Sequence, residues 1–218
     1  MELPIALLQS TPLFRGMSEG EIRRLVTCLG APVRRYGKGS FLWHEGDSVT
    51  QAGIVLRGMV DAVNYSDDGR VHLVARQTAG SVFGEMLMAA GRPSPVSLQA
   101  TEEAEVLFLP LENILGGCGE NCPCHIALRR NLLQEASEKF WALQRRLTYL
   151  AEPSLRQRIL LFLRDEGKKA GHGLFTIPYD RTELAAFLAV NRSALSRELS
   201  RLQKDGIIEY YRSSFHLL

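Results

Sequence analysis

Short apolar runs, many of them rich in β-branched residues, recur at even spacing between residues 33 and 110. Glycine-containing turns such as Tyr36-Gly37-Lys38-Gly39 separate them, and Asp68-Gly69 between two runs is a strong hairpin signal. This pattern predicts an antiparallel roll or sandwich of short strands. The predicted strands cover residues 40–43, 53–56, 59–63, 71–75, 96–100 and 106–109. Before them, Ser18 with Glu21 three residues later forms the signature of a capped amphipathic helix over 18–29.

After the roll, the hydrophobic period changes to that of a long helix. Apolar residues alternate at spacings of three and four, with Ile126 one heptad before the others. The remaining positions of this seam are Leu133, Ala136, Phe140, Leu143, Leu147 and Leu150. A strict 3.5-residue period is typical of a two-stranded coiled coil, so we expect a parallel homodimer through residues 126–150. The alternative is a stripe that packs against its own domain. Pro153 ends the run, and a new helix begins near Ser154.

The last third of the chain predicts a winged helix. The pattern gives a helix over 154–169, a strand over 174–177, and helices over 181–188 and 192–204. A hairpin follows, with strands over 207–211 and 215–218 and a turn at Arg212-Ser213-Ser214. Asp180 and Glu183 form a capping box. The turn between the last two helices places Ala189 where glycine is more usual, and Glu198 stands where many such motifs keep an aliphatic residue.

The segment Asn191-Arg-Ser-Ala-Leu-Ser-Arg-Glu-Leu199 has the pattern of a recognition helix. Asn191 is a good N-cap, and residues three and four apart share one face of the helix. The first turns of such a helix enter the major groove, where arginine can read guanine or contact phosphate. The predicted DNA-binding residues are Arg192, Ser193, Ser196, Arg197, Thr182 and Arg201.

Composition and charge agree with a DNA-binding protein of the cytoplasm. The 218 residues are 45% hydrophobic, yet no run approaches the roughly 18 apolar residues of a membrane span, so no membrane is expected as a partner. The start, MELPIALLQS, lacks the features of a signal peptide, and four cysteines are too few for a disulfide scaffold. From Ser154 onward, 11 Lys/Arg stand against 7 Asp/Glu, so the basic half of the chain is its end. This asymmetry suits a polyanionic partner.

The roll, the heptad helix and the winged helix, in that order over nearly the whole chain, resemble the CRP/FNR family of bacterial transcription regulators. The turn Gly80-Ser81-Val82-Phe83-Gly84-Glu85-Met86 and the helix over 191–202 carry the resemblance. It implies an α+β fold: an N-terminal antiparallel β-roll like a cyclic-nucleotide-binding jelly roll, a long dimerisation helix and a C-terminal winged helix-turn-helix. The implied domains cover residues 1–117 (effector-sensing roll), 118–152 (dimerisation helix and hinge) and 153–218 (DNA binding). The implied function is a dimeric regulator that binds a two-fold symmetric operator, with RNA polymerase as a further partner if it activates.

The effector site of the family is only partly matched. Family members that bind cyclic nucleotides hold the phosphate with an Arg-Ser pair, whereas this chain has Arg92-Pro93-Ser94-Pro95. Pro95 has no N–H to donate, and Phe140 and Trp141 fall where cyclic-AMP sensors place hydroxyl residues. We therefore expect an effector other than cyclic AMP, with a non-standard phosphate pocket as the alternative. The candidate effector residues are Gly84, Glu85, Met86, Arg92, Ser94, Phe140 and Trp141.

Three of the four cysteines cluster just before the long helix. Cys118, Cys122 and Cys124, with His125, fall within eight residues. They are interpreted either as buried structural thiols or as ligands, since thiolate and imidazole suit a metal ion or an iron–sulfur cluster. Haem or thiol redox sensing remains open, because Cys122-Pro123 resembles the motif of haem-responsive proteins. The FNR branch draws most cluster ligands from an N-terminal cysteine run, and only Cys28 lies upstream here.

A different class of protein, a cupin-type metalloenzyme, also has a roll of this kind. Its metal site needs a His-x-His with a later Glu and His. The histidines of this chain are His44, His72, His125, His172 and His216, and no two are near neighbours. No nucleophile elbow or Walker-type loop is present either, so the sequence predicts a regulator and no enzyme.

Overall fold

The structure is a computed structural model that describes residues 3–66, 70–118, 122–171 and 173–218. It divides into two compact units, Met1–Glu138 and Lys139–Leu218. The division falls inside one long helix, and each unit has its own apolar core. The predicted α+β class, with a roll, a long helix and a winged helix-turn-helix, is confirmed.

The first unit begins with helices. They are α1 (Ile5–Ser10), a 3-10 turn (Pro12–Phe14) and α2 (Glu19–Cys28). The predicted capping box of α2 is present: the Glu21 amide donates to Ser18 Oγ, and the Ser18 amide donates to Glu21 Oε2 at 2.8 Å. Hydrogen bonds from Ser18 also lower the pKa of the Glu21 carboxyl, because they favour its charged form.

In the part of the roll that the structure describes, eight strands form two antiparallel four-stranded sheets, with orders β1-β8-β3-β6 and β2-β7-β4-β5. The strands are β1 (Val33–Tyr36), β2 (Phe41–Trp43), β3 (Gln51–Arg57), β4 (Val60–Tyr65), β5 (Val71–Gln77), β6 (Val82–Phe83), β7 (Ser97–Ala100) and β8 (Ala104–Pro110). Two short helices, α3 (Glu85–Ala90) and α4 (Leu111–Gly116), follow β6 and β8. All six predicted strands are confirmed, and β4 pairs with β5 as the hairpin signal required, although Asp68 and Gly69 themselves lie outside the described residues.

Strand β8 explains how this unit is held together. Leu107 and Leu109 join a core that includes residues of α2, whereas Val106 and Phe108 join a second core with residues of both sheets. Since alternate side chains of a strand point to opposite faces, β8 is covered on both faces. Its run Val-Leu-Phe-Leu is therefore apolar throughout rather than alternating.

The long helix α5 (Pro123–Ala151) has 29 residues, with a buried face in its first half and an exposed apolar row along its length. Leu128, Asn131 and Glu135 are buried, and the Asn131 amide donates to the backbone carbonyls of Leu13 and Arg15, both at 3.0 Å. Most of the predicted heptad seam, by contrast, is exposed. The exposed fractions lie between 49% and 71% at Ile126, Leu133, Phe140, Leu143 and Leu147. Within the first unit, the seam residues Ile126 and Leu133 thus lie outside the face of α5 that packs on the core.

The second unit is a winged helix. Its elements are α6 (Leu155–Ala170), β9 (Leu174–Thr176), α7 (Arg181–Phe187), α8 (Arg192–Lys204), β10 (Ile208–Tyr211) and β11 (Ser214–Leu217). The strands form an antiparallel sheet of order β10-β11-β9. The wing turn has two residues, Arg212 and Ser213, one fewer than predicted, because Ser214 already pairs with Tyr211.

Candidate functional site

The turn between α7 and α8 fixes the helix-turn-helix. Ala189 adopts a left-handed φ of 53°, which explains why glycine is more usual there. The Val190 amide donates to the Ala185 carbonyl and the Ala189 amide to the Ala186 carbonyl. This pair of hydrogen bonds is the Schellman motif, which ends a helix sharply and satisfies its last carbonyls. The predicted capping box at the start of α7 is also present, through Asp180 and Glu183.

Helix α8 is anchored by one face and free on the other. Leu195, Leu199 and Leu202 are fully buried in the core of the second unit. Arg192, Ser193 and Arg197 are exposed, and Ser196 is half-buried. Within the described residues, neither Arg192 nor Arg197 has an ion-pair partner. Both guanidinium groups are therefore available to an external anion.

One detail of this helix differs from expectation. Asn191 occupies the N-cap position, but its side chain makes no capping hydrogen bond in the described part of the chain. The backbone carbonyl of Asn191 accepts the first helical bond, from Leu195 at 3.0 Å. The Asn191 side chain thus accepts no hydrogen bond from the N–H groups of the first turn. A helix N-terminus whose N–H groups lack a capping side chain favours anions.

An ion-pair network explains Glu198, which stands where an aliphatic residue is more common. Arg156 of α6 donates to Glu198 Oε1 at 3.3 Å and to Asp205 Oδ2 at 2.6 Å. Its hydrogen bond to Asp205, and then its contact with Glu198, raise the pKa of Arg156. The network joins α8 to α6. Arg201 lies 3.4 Å from Glu198, so this predicted DNA-binding residue is already engaged in part.

Two exposed residues of the wing, Tyr211 and Arg212, were not selected as candidates from the sequence. Tyr211 is exposed at the end of β10, and the Arg212 guanidinium lies 5.5 Å from the centre of its ring. The available signal was an arginine in the predicted wing turn beside a tyrosine. Thr182, which was predicted, is exposed at the start of α7, where its amide donates to Asp180 Oδ1.

Several of the predicted effector residues of the roll are packed or hydrogen-bonded within the roll itself. Gly84 has a φ of 77°, and a Cβ there would lie 3.1 Å from Trp43. Ser94 is buried: its hydroxyl donates to the Val96 carbonyl at 2.7 Å and accepts from the Trp43 indole at 3.0 Å. Glu85 is buried as well, while Met86 and Arg92 are exposed.

The other two effector candidates, Phe140 and Trp141, are exposed on α5, with ring centres 5.4 Å apart. They belong to the second unit, whereas the candidates of the roll belong to the first.

The cysteine cluster includes a residue that the sequence analysis left apart. Cys28, at the end of α2, lies beside Cys118 and His125: the two Sγ atoms and a ring nitrogen are all within 4.8 Å of one another. Cys118 Sγ is 3.6 Å from His125 Nδ1. A cavity of about 260 Å³ lies between these residues, with Cys122 and Cys124 also in its lining.

The cluster shifts the ionisation of its thiols. A hydrogen bond from His125 lowers the pKa of the Cys122 thiol to about 6, since donors stabilise the thiolate. Contact with the Cys28 thiol, and then with the Cys122 thiol, raises the pKa of Cys118 to about 12. Cys124 is different: its side chain packs against the apolar core of the first unit, and burial raises its pKa.

Comparisons with known proteins match both units. The profile of the family described as "Cyclic nucleotide-binding domain" matches residues 33–121, and that of the "Crp-like helix-turn-helix domain" matches residues 157–218. The transcriptional activator protein Anr of Pseudomonas aeruginosa is 26% identical over 87% of this chain and 76% of its own. The cyclic AMP receptor protein of Thermus thermophilus is 26% identical over 92% of this chain and 89% of its own.

A solved structure has the same fold. The c-di-GMP responsive global regulator CLP of Xanthomonas campestris superposes with a TM-score of 0.56 at 22% identity, covering 92% of this chain and 99% of that one. A roll of the cyclic-nucleotide-binding type followed by a Crp-like helix-turn-helix defines a DNA-binding transcription regulator, not an enzyme. The chain belongs to the CRP/FNR family of transcription regulators.

These findings settle two expectations of the sequence analysis. The family resemblance is confirmed, and the cupin-type enzyme is excluded by membership of a family of regulators. No helix among the described residues is both long and apolar enough to cross a bilayer.

Proposed function

We propose that this protein is a homodimeric transcription regulator that joins through residues 126–150 and binds a two-fold symmetric operator. Its effector is a signal other than cyclic AMP. The observation that carries the proposal is the pair of faces on α5. Leu128, Asn131 and Glu135 already pack within the first unit, so the heptad seam is left over for a second copy.

The exposed seam supports a coiled coil over a stripe that packs against its own domain. Leu133, Phe140 and Leu147 are each separated by one heptad, and all three are more than half exposed. Large apolar side chains in a repeating row on one helix are rarely left in water. Knobs-into-holes packing against the same row of a second copy removes them from solvent.

The operator contacts are assigned to the exposed face of α8. Arg197 and Arg192 supply bidentate donors for guanine or phosphate, and Ser193 and Ser196 reach base edges or backbone oxygens. Thr182 and Arg201 add backbone contacts at the margin. Family members often carry Glu in the position of Ser193, so we expect a different base preference there. In a two-fold dimer, the half-sites lie about one helical turn of DNA apart or slightly more.

The effector proposal rests on the loop after α3. Ser94 is buried and its hydroxyl is committed to Trp43 and Val96, while Pro95 cannot donate an amide hydrogen bond. The phosphate site of the cyclic-AMP sensors is therefore not reproduced. A small molecule, a metal or a redox signal is proposed instead.

A second candidate is a cyclic-nucleotide response through a non-standard pocket. A cavity of about 470 Å³ in the roll, lined by Arg34, Trp43, Thr50 and Phe108 among others, favours it. Arg34 supplies the positive charge that a cyclic phosphate would need.

As a DNA-binding regulator, the protein would work in the cytoplasm. The relative Anr is named a transcriptional activator. If this chain also activates, RNA polymerase is its further partner.

The decisive experiment selects bound duplexes from a random pool with the full-length protein and then measures mass and affinity. We expect a dimer by light scattering at micromolar concentration and an inverted repeat among the selected sequences. Added cyclic AMP should leave the affinity unchanged. A monomer that stays monomeric on the selected DNA, or a site without symmetry, would contradict the dimer. An increase in affinity with cyclic AMP would favour the second candidate.

A further inference from the structure

Four soft donor groups from three separate segments of the first unit meet at one cavity. Cys28 is the last residue of α2, and Cys118 follows α4. Cys122 immediately precedes α5, and His125 lies in its first turn. Cys28 and Cys118 are far apart in the chain, so their proximity in space does not follow from proximity in the sequence. The cavity of about 260 Å³ between them has room for an ion.

The distances among Cys28, Cys118 and His125 suit a single tetrahedral ion, and Cys122 lines the same cavity but lies outside this close set. With Zn–S near 2.3 Å and Zn–N near 2.0–2.1 Å, tetrahedral ligands lie about 3.6 to 3.8 Å from one another. The 3.6 Å between Cys118 Sγ and His125 Nδ1 already has this value. The ligand atoms of Cys28, Cys118 and His125 all lie within 4.8 Å of one another. They therefore need to move only slightly closer together to bind one ion. A multi-iron cluster occupies more space between its thiolates than a single ion does.

The imidazole of His125 is held in place at this cluster, because the residue is only 1% exposed. Its Nδ1, the nitrogen 3.6 Å from Cys118 Sγ, is the ring atom placed to bind an ion, and imidazole with thiolates has the chemistry of a metal site. The donor set of three cysteines and one histidine is that of closed zinc sites.

We propose that Cys28, Cys118, Cys122 and His125 bind one zinc ion, which joins the end of α2 to the start of α5. Cys124 is not a ligand, because it packs against the apolar core. The effect on DNA rests on the proposed function: the ion fixes the first turn of the helix through which the dimer forms, and its loss lowers operator affinity by about tenfold, within the usual range of allosteric coupling.

The first test measures metal in the full-length protein purified without chelator. We expect about one zinc per chain, without iron or acid-labile sulfide. Cys28→Ser and His125→Asn should each weaken zinc binding more than about 100-fold, whereas Cys124→Ala, the matched control, should retain the metal. Iron with sulfide, a disulfide among these thiols in place of metal, or loss of zinc in the control alone would each overturn the site.

Cobalt keeps the test decisive if a variant fails to fold. Co²⁺ added to the metal-free wild-type protein should give the visible absorption of a tetrahedral thiolate complex, which saturates at one equivalent and is displaced by Zn²⁺. Weak octahedral absorption alone would overturn the proposal.

The second test measures affinity for the selected duplex before and after removal of zinc. Equal affinities would overturn the regulatory half of the proposal. If no form of the protein selects a duplex, the proposed function fails, while metal content and the cobalt spectrum still decide the site.

Discussion

The seam of α5 and the first turns of α8 are both exposed, but the seam is apolar whereas the α8 surface is charged and polar. The seam is a row of large apolar side chains, from Ile126 to Leu147, on a helix whose other face is already buried. The α8 surface is a small group of arginines and serines on a helix anchored by three buried leucines. Removing the apolar seam from water lowers the free energy of the protein. The charged α8 surface is stable in water and exchanges its hydration for contact with an anion.

We infer from this difference that each surface suits its own kind of partner. An apolar row with heptad spacing fits a copy of itself, because the same spacing must recur on the partner. Arg192 and Arg197, which have no ion-pair partner among the residues that the structure describes, fit the phosphates and guanine edges of DNA. Contact through the seam should depend little on salt, and contact through α8 should weaken steeply as salt rises.

The largest effect is expected from Phe140→Glu, which places a charge in the centre of the seam. The dimer should dissociate, and operator affinity should fall at least about 100-fold, because two linked half-site contacts become one. Light scattering and a binding titration measure the two effects. Ala142→Glu adds the same charge to an exposed position of α5 outside the seam and should keep both dimer and affinity. A Phe140→Glu protein that remains dimeric would show that the seam is not the interface.

A smaller effect is expected from Arg197→Ala on the α8 surface. Loss of a bidentate guanine contact should cost about 1–3 kcal/mol at the selected site and relax the preference at one base pair. Affinities for the selected duplex and for its single-base variants test this. A uniform loss on all duplexes would instead assign Arg197 to phosphate.

Arg192→Ala should have a weaker and less selective effect. If Arg192 contacts phosphate, binding should weaken by about the same factor on every duplex, and the slope of log affinity against log salt should fall by about one. A titration series over salt concentration measures the slope. A sequence-dependent loss with an unchanged slope would contradict the phosphate contact.

The smallest effect is expected from Ala189→Gly in the turn between α7 and α8. The left-handed φ of 53° costs alanine roughly 1 kcal/mol, and the greater freedom of glycine in the unfolded chain offsets part of the gain. Stability should rise by about 0.5 kcal/mol in denaturant titrations, with unchanged DNA affinity. A loss of stability would mean that the methyl group contributes to packing.

The second unit could be predicted closely because its signals are local. The bounds of α8 agree residue by residue, since Leu195, Leu199 and Leu202 have the helical period and α8 is preceded by a defined turn. In the roll, β1 was missed because its sequence Val-Arg-Arg-Tyr has no apolar run, and β6 because it has only two residues. The position of Cys28 beside Cys118 could not be predicted, since only the packing of α2 against the rest of the first unit brings the two residues together.

The ion pairs of Arg156 have a consequence for how operator preference could change over time or in the laboratory. Glu198 and Asp205 pair with Arg156 of α6, and three buried leucines anchor α8 in the core of the second unit, so this helix is held by residues other than the proposed DNA contacts. The exposed side chains of Arg192, Ser193 and Arg197 contribute little to the packing of α8. We therefore expect that they can be replaced by other residues without repacking of the core. The preferred DNA sequence can therefore change while the fold is kept. A library randomised at these three positions should yield mostly folded proteins that select different DNA sequences.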